Sequence, residues 1–340
     1  MTNAEYPQCG EQGNTAIETG QVSGRREADD SEADAPRVTV LIATYNHEDY
    51  IESAVDSVLA QRTTFPFEVL ISEDASTDGT RGIVSRYAER FPTKVRLLLS
   101  DRNLRSNEVV ARGLRAAHGR YIALLDGDDY WIDSGKLQRQ ADFLDANPDC
   151  SAVFDNARTA VGNRLGDECW TRPDTAERRD LSAIMEGNPF ATCASMMRAD
   201  CVRDVPDWYA DFFPITDWPL YALCATRGEL AFHDEVSGVY RLHADGEYSG
   251  RTAAAKLDAT ERFYRRLASV AGPPLDQAAR DGCSRYFFDW AEAHLNSGEL
   301  SLACGCFRRS LRGGGIGRTV PRRAAVRLGL KLLRRSLGGR

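Results

Sequence analysis

The sequence predicts an α/β protein with a mostly parallel central sheet flanked by helices and a helical extension at its C-terminal end. Three observations predict it. Between residues 38 and 125, four short apolar runs alternate with three stretches of helical periodicity, and strands joined by helical crossovers pair in parallel. Polar clusters follow three of those runs: Thr44-Tyr45-Asn46, Glu73-Asp74 and Asp126-Gly127-Asp128-Asp129. Sheets of this kind bind ligands beyond the carboxyl ends of their strands. From residue 255 onward the apolar spacing is helical.

The elements follow in order. Residues 1–36 hold eight acids and two arginines with little to bury, and read as a disordered acidic segment. Residues 38–43 are an almost continuous apolar run that suits a buried strand. Ile51, Ala54, Val55, Val58 and Leu59 then share one helical face. Residues 68–71 form a second strand, and the turn Asp78-Gly79-Thr80 leads to a helix carrying Ile83, Val84, Tyr87 and Phe91. Residues 95–99 form the third strand. The next helix ends near Gly119, which reads as a left-handed C-terminal cap. Residues 121–125 form the fourth strand. Strands are expected at 151–154, 193–197 and 236–241, a helix at 255–270, and a helical hairpin at 276–311 that turns at Gly298. Gly313-Gly314-Gly315 then breaks to a basic tail. The domain division is therefore 1–36, 37–250, 251–312 and 313–340.

Composition narrows the function. The chain has 340 residues, 42% hydrophobic and 27% charged, with a net charge of −7. No apolar run approaches the ~18–20 residues that span a bilayer, and the N-terminus lacks the features of a secretory signal. Nine cysteines, an odd number, suit reduced thiols in a cytoplasmic protein. Residues 37–306 carry a net −12, whereas 307–340 hold eleven basic residues and no acid. An acidic body argues against nucleic acid as a partner. The tail is either a basic amphipathic helix making peripheral contact with anionic lipid or a frayed, solvated end.

Asp126-Gly127-Asp128-Asp129 carries the chemistry. Carboxylates two apart on an extended segment point the same way. Clustered carboxylates repel, and Mn²⁺ or Mg²⁺ bridging to a substrate phosphate is their natural countercharge. A solvated acidic turn is the alternative. A dinucleotide oxidoreductase is disfavoured, because Thr44-Tyr45-Asn46-His47 follows the first strand where a Gly-x-Gly-x-x-Gly turn would be needed.

Residues 37–250 resemble the family 2 glycosyltransferases, inverting enzymes of the GT-A nucleotide-diphospho-sugar transferase fold. The resemblance rests on Val40-Leu41-Ile42-Ala43-Thr44-Tyr45-Asn46, on Ile71-Ser72-Glu73-Asp74-Ala75-Ser76-Thr77-Asp78-Gly79-Thr80, on Asp101-Arg102-Asn103-Leu104, on residues 119–129, on Thr216-Asp217-Trp218 and on Val239-Tyr240-Arg241-Leu242-His243. It implies that Thr44, Tyr45 and Asn46 hold the donor nucleotide, that Asp74 accepts the uracil N3–H, and that Asp126 contacts the ribose. Glu73 stands where the family usually has Asp, beside that uracil contact. Arg112 either meets a phosphate or lies on a solvated helix face. Asp128 and His243 match the metal site, though a lone His is more often packed in a core. Asp217 matches the catalytic base, with a helix N-cap as its alternative. Trp218 beside it is the candidate for stacking on the acceptor sugar, ahead of Trp131 and Trp170. The polar, glycine-containing residues 244–250 suit a lid.

The implied activity is metal-dependent, inverting transfer of a hexose or N-acetylhexosamine from a UDP-sugar donor to a hydroxyl-bearing acceptor. A catalytically degenerate nucleotide-sugar-binding module is the reading from another class. Two acceptors contend: a growing surface polysaccharide, and a small natural product such as an aminoglycoside antibiotic intermediate. The second follows from acids expected on the acceptor side, at 200, 204, 207, 211, 217, 234, 235, 245 and 247, because a cleft lined by one sign of charge concentrates ligands of the other.

Overall fold

The computed structural model describes residues 35–162, 164–172, 174–244 and 246–337. The acidic segment expected at 1–36 thus lies outside the described residues except for its last two. Strand and helix alternate through β1 (Val38–Thr44), α1 (Ile51–Leu59), β2 (Phe67–Glu73), α2 (Thr80–Arg90), β3 (Val95–Leu99), α3 (Glu108–Ala116) and β4 (Tyr121–Asp126). β1 lies between β2 and β4 and is parallel to both. Its register sets Thr44 opposite Glu73 and Ala43 opposite Asp126, so the ends of three strands form one edge.

These three strands, β1, β2 and β4, are mostly apolar because both faces are covered. Leu41, Leu70, Ile122 and Leu124 face one core with Val110 and Leu114 of α3. Val40, Ile42, Val69, Ile71, Ala123 and Leu125 face the other, with Val55 and Val58 of α1. Gly119 is not the left-handed cap that its position suggests, since α3 ends at Ala116 and Gly119 is not among the glycines of positive φ. A Cβ at Gly119 would stand 2.4 Å from the Thr39 nitrogen. The glycine is needed for close approach to β1.

The second half adds β5 (Tyr130–Trp131), α4 (Lys136–Ala146), β6 (Cys150–Val161), β7 (Arg164–Cys169), β8 (Arg178–Arg179), α5 (Leu181–Glu186), β9 (Ser195–Arg198), α6 (Ala199–Val202), α7 (Asp217–Ala225) and β10 (Glu229–Leu242). The sheet runs β3-β2-β1-β4-β9-β6-β10-β5, with β7 on β6 and β8 on β10. β9 is antiparallel to both β4 and β6 and joins the two halves. β6 and β10 are much longer than their apolar runs. Asp155 and Asn156 break the β6 run yet are fully buried. Arg139 donates to Asp155 at 2.8 Å, and Asn156 donates to the Thr171 carbonyl at 2.9 Å.

α8 (Ala253–Val270), α9 (Leu275–Asn296), α10 (Leu300–Gly313) and α11 (Arg322–Ser336) complete the described chain. α9 and α10 form the expected hairpin, with Gly298 between them at φ +84°. Phe263, Tyr264, Phe287, Cys306 and Leu328 share a core with α3 and α7, so the helical extension continues the main core. Among the described residues, no helix is long and apolar enough to cross a membrane.

Candidate active site

A cavity of about 310 Å³ opens at the carboxyl ends of β1 and β4, within the range of small-ligand sites. Thr44, Tyr45, Asp74, Asp126, Asp128 and Asp217 all line it. The turn after β4 brings its carboxylates there through Gly127. A Cβ at that residue would stand 2.5 Å from Thr44 Oγ1 and 2.8 Å from His47 Nδ1, so only glycine lets this turn lie against the turn after β1. The Gly127 N–H donates to the Ala43 carbonyl at 2.9 Å.

The three carboxylates of the turn have different surroundings. Asp128 Oδ2 is 2.8 Å from His243 Nε2 and 3.8 Å from His47 Nε2. Asp129 is buried and accepts the Arg241 backbone N–H at 2.8 Å. Arg241 also donates to the Asp128 carbonyl and to Ser53 Oγ, and its guanidinium lies 4.3 Å over the Tyr130 ring. These contacts fasten the end of β10 to the turn, which sets His243 beside Asp128. Burial, then Asp128 and Asp217, push the Asp126 carboxyl up to about 8. Burial, then Asp128 and Asp126, raise Asp129 well above the carboxylate range. Burial also acts to raise Asp128, but His47 and His243 outweigh it and hold it below its ordinary value.

This donor set fits a divalent cation of a particular kind. Among the described residues, no group of three or more His, Cys, Asp or Glu side chains forms a ready cage. Asp128 lines the cavity, and His243, which is not itself among the lining residues, sets an imidazole nitrogen 2.8 Å from the Asp128 carboxylate. Mg²⁺ and Mn²⁺ commonly take few protein ligands and fill their shell with water and substrate phosphate. The crowded buried carboxyls would also be relieved by positive charge.

The remaining expected residues divide into two groups. Asp74 lines the cavity, oriented by the Ser100 hydroxyl at 3.0 Å and the Leu104 backbone N–H at 3.0 Å. Glu73, Asn46 and Arg112 are not among the lining residues. Glu73 is fully buried, pairs with Arg81 and accepts the Ser76 backbone N–H. Asn46, at φ +54°, accepts the Thr77 backbone N–H at 2.8 Å. Arg112 donates to Ser72 Oγ at 2.8 Å and to the Glu73 and Leu98 carbonyls at 2.9 and 3.0 Å. All three tie together the strand ends and the loop after β2, through the Glu73 carboxylate, the Asn46 amide oxygen and Arg112 Nε and Nη2.

Asp217 opens α7 and faces the cavity. Its Oδ1 accepts the Trp218 backbone N–H at 2.7 Å, and its Oδ2 accepts the Asn188 amide at 2.9 Å. Burial raises its pKa, and these two donors oppose that rise. Trp218 lines the cavity but is only 6% exposed. Its indole N–H donates to the Ile184 carbonyl at 2.8 Å, and its ring packs against Phe263 at 5.0 Å. Trp170 is 39% exposed and meets Tyr240 edge to face at 4.7 Å, and both rings line the cavity. Gly246, Glu247, Tyr248 and Ser249 of the polar loop line it as well, and the Lys256 ammonium donates to the Ser249 carbonyl at 3.1 Å.

Sequence reasoning passed over His47, Asn188 and Tyr240. His47 had a signal, as a titratable group directly after the first polar cluster. Asn188 had none, because it reaches Asp217 across 29 residues.

The model of the family "Glycosyl transferase family 2" matches residues 39–203. An uncharacterized protein of Mycobacterium tuberculosis, Rv1520, is 38% identical over 212 residues, which cover 62% of this chain and 60% of that protein. The chain thus spans less than two thirds of the length of that relative. The UDP-Glc:alpha-D-GlcNAc-diphosphoundecaprenol beta-1,3-glucosyltransferase WfaP of Escherichia coli is 36% identical over 110 residues, 32% of this chain and 41% of WfaP. Among solved structures, Staphylococcus aureus TarS 1–349 in complex with UDP-GlcNAc superposes with a TM-score of 0.61 at 18% identity, covering 89% of this chain and 92% of that one. At that identity the likeness speaks to the fold. The strand-end carboxylates, the match over residues 39–203 and the shared architecture together identify a glycosyl transferase family 2 domain built on the GT-A fold.

Proposed function

We propose that this protein is an inverting glycosyltransferase that moves a hexose or N-acetylhexosamine from a UDP-sugar to an acceptor hydroxyl. The observation that carries the reading is the meeting of Asp74, Asp128 and Asp217, from three distant segments, on one cavity. The UDP donor is supported by the UDP-GlcNAc held by TarS and by the UDP-Glc in the name of WfaP. Eight free cysteines among the described residues support a reducing, cytoplasmic setting.

In this reading Asp74, fixed by Ser100 and Leu104, accepts the uracil N3–H. Asp126, at the end of β4 on the same cavity, contacts the ribose. Asp128 and His243 would hold Mn²⁺ or Mg²⁺, which when bound supplies Lewis-acid stabilisation of the leaving diphosphate. Asp217 takes the proton of the acceptor hydroxyl as its oxygen attacks the anomeric carbon, and the bond to the diphosphate breaks on the opposite face. Each Asp217 oxygen keeps a lone pair beyond its present hydrogen bond. Burial raises its basicity toward the working pH, as a general base requires.

A growing glycan is the better supported acceptor, since the name of WfaP specifies a GlcNAc-diphosphoundecaprenol acceptor. Of the acids that would favour a cationic acceptor, Asp245 lies outside the described residues and most of the others do not line the cavity. Asp211 pairs with Arg266 and Glu235 with Arg139, while Asp217 and Glu247 are the members of that set among the lining residues. The test is to incubate the protein with a panel of UDP-sugars and glycan acceptors, with and without Mn²⁺. Asp128→Ala should remove the Mn²⁺-dependent turnover with the fold retained, at some cost in melting temperature because the contact with His243 at 2.8 Å is lost. Donor binding without turnover in the parent protein would instead indicate a binding module.

A further inference from the structure

Helix α11 is docked through one face only. Ala325, Leu328 and Leu332 are buried against the helical extension, whereas Val326, Leu330, Leu333 and Leu337 are each more than half exposed. At 3.6 residues per turn, their spacing of four, three and four places these four side chains in one stripe about 60° wide. Arg323, Arg327, Lys331 and Arg334 run along one border of that stripe, and Arg322 lies beside the other. Among the described residues none of these five cations has an acidic partner. Neighbouring basic residues do, with Arg309 paired to Glu261 and Arg318 to Asp281, both at 2.8 Å. Residues 307–340 hold eleven basic residues and no acid, on a body that is net acidic.

We infer that this face of α11 rests on an anionic phospholipid bilayer. A mixed apolar and cationic face is what an interfacial helix presents, with aliphatic side chains in the acyl boundary and basic groups among the headgroups. The 15-residue helix is about 22 Å long, too short to span a membrane but long enough to lie flat on one. The charge selects this occupant over others. A second copy of the same face would set cations against cations, and a nucleic acid would gain nothing from four exposed aliphatic chains.

The full chain should co-sediment with vesicles of phosphatidylcholine mixed with phosphatidylglycerol, but not with phosphatidylcholine alone, and added salt should weaken binding. Leu330→Glu/Leu333→Glu should cut binding at least ~tenfold. Its melting temperature should match the parent, because both side chains are exposed. Arg327→Gln/Lys331→Gln/Arg334→Gln is a second variant that leaves the apolar stripe intact, and it should also lose binding to the anionic vesicles. Failure of the parent to bind anionic vesicles, or full binding by either variant, overturns the inference. A concentration-dependent dimer in sedimentation velocity that Leu330→Glu/Leu333→Glu dissolves would assign the face to a second copy and likewise overturn it.

Discussion

Replacing Asn188 by alanine removes the amide that donates to Asp217 Oδ2 at 2.9 Å, and the consequence can be followed through to a rate. Burial raises the Asp217 carboxyl, while the Asn188 amide and the Trp218 backbone N–H hold it down. A hydrogen bond to a charged acceptor contributes about 1.5–3 kcal/mol. Asn188 is only half-buried, so the lower end applies. Losing it lifts the Asp217 carboxyl further above its ordinary value. A base must be ionised to accept a proton, so activity is lost as pH falls through its pKa. The acid limb of the kcat/KM profile should therefore move to higher pH. The loss is roughly tenfold on that limb and small on the alkaline side. The assay is transfer from the active UDP-sugar across pH, with thermal melting as a control, because Asn188 Oδ1 also accepts the Phe190 backbone N–H. An unmoved limb, or an equal loss at every pH, would refute the reasoning.

Two further substitutions separate residues that shape the site from residues that touch the donor. Gly127→Ala should lower kcat/KM about 10²-fold with the fold retained, because the new methyl forces Thr44 and His47 out of place and misplacements near 1 Å cost that much; parent-like activity would mean that the two turns can part freely. Arg112→Met should lower stability by about 2 kcal/mol, since two carbonyls and a hydroxyl lose a charged donor, while the donor KM stays unchanged; a raised donor KM at unchanged melting temperature would return Arg112 to the phosphate.

The strands β1, β2 and β4 were legible because they are covered on both faces and each reads as a mostly apolar run. Their polar ends were legible for the same reason, as the first residues past each buried run. Legibility failed where a side chain is satisfied by a distant partner. Asp155 and Asn156 look like the end of a strand, yet Arg139, Thr171 and Asp234 let β6 continue through them. Glu73 and Arg112 carry the right charge and sit at the end of β2 and within α3, but Arg81 and two strand-end carbonyls claim them. Trp218 adjoins Asp217 in sequence, yet the helical start at Asp217 turns the indole into the aromatic core. The ring left exposed at the cavity is Trp170, whose neighbour Tyr240 lies on another strand. Gly119 shows that a glycine after a helix need not cap it. The basic tail was legible as amphipathic, but its docked face depends on the partner helices α9 and α10, which local periodicity does not reveal.

The central claim is that Asp217 removes the acceptor proton, and single-turnover transfer by Asp217→Asn tests it most directly. The amide keeps the size of the side chain and leaves Asp74 and Asp128 in place, but it cannot take up a proton. At saturating donor and acceptor, the transfer rate should fall by ~10²–10⁴-fold, while the UDP dissociation constant, read by calorimetry on the same sample, stays near that of the parent. A variant that transfers sugar at the parent rate would leave Asp217 as a helix-opening residue and contradict the account.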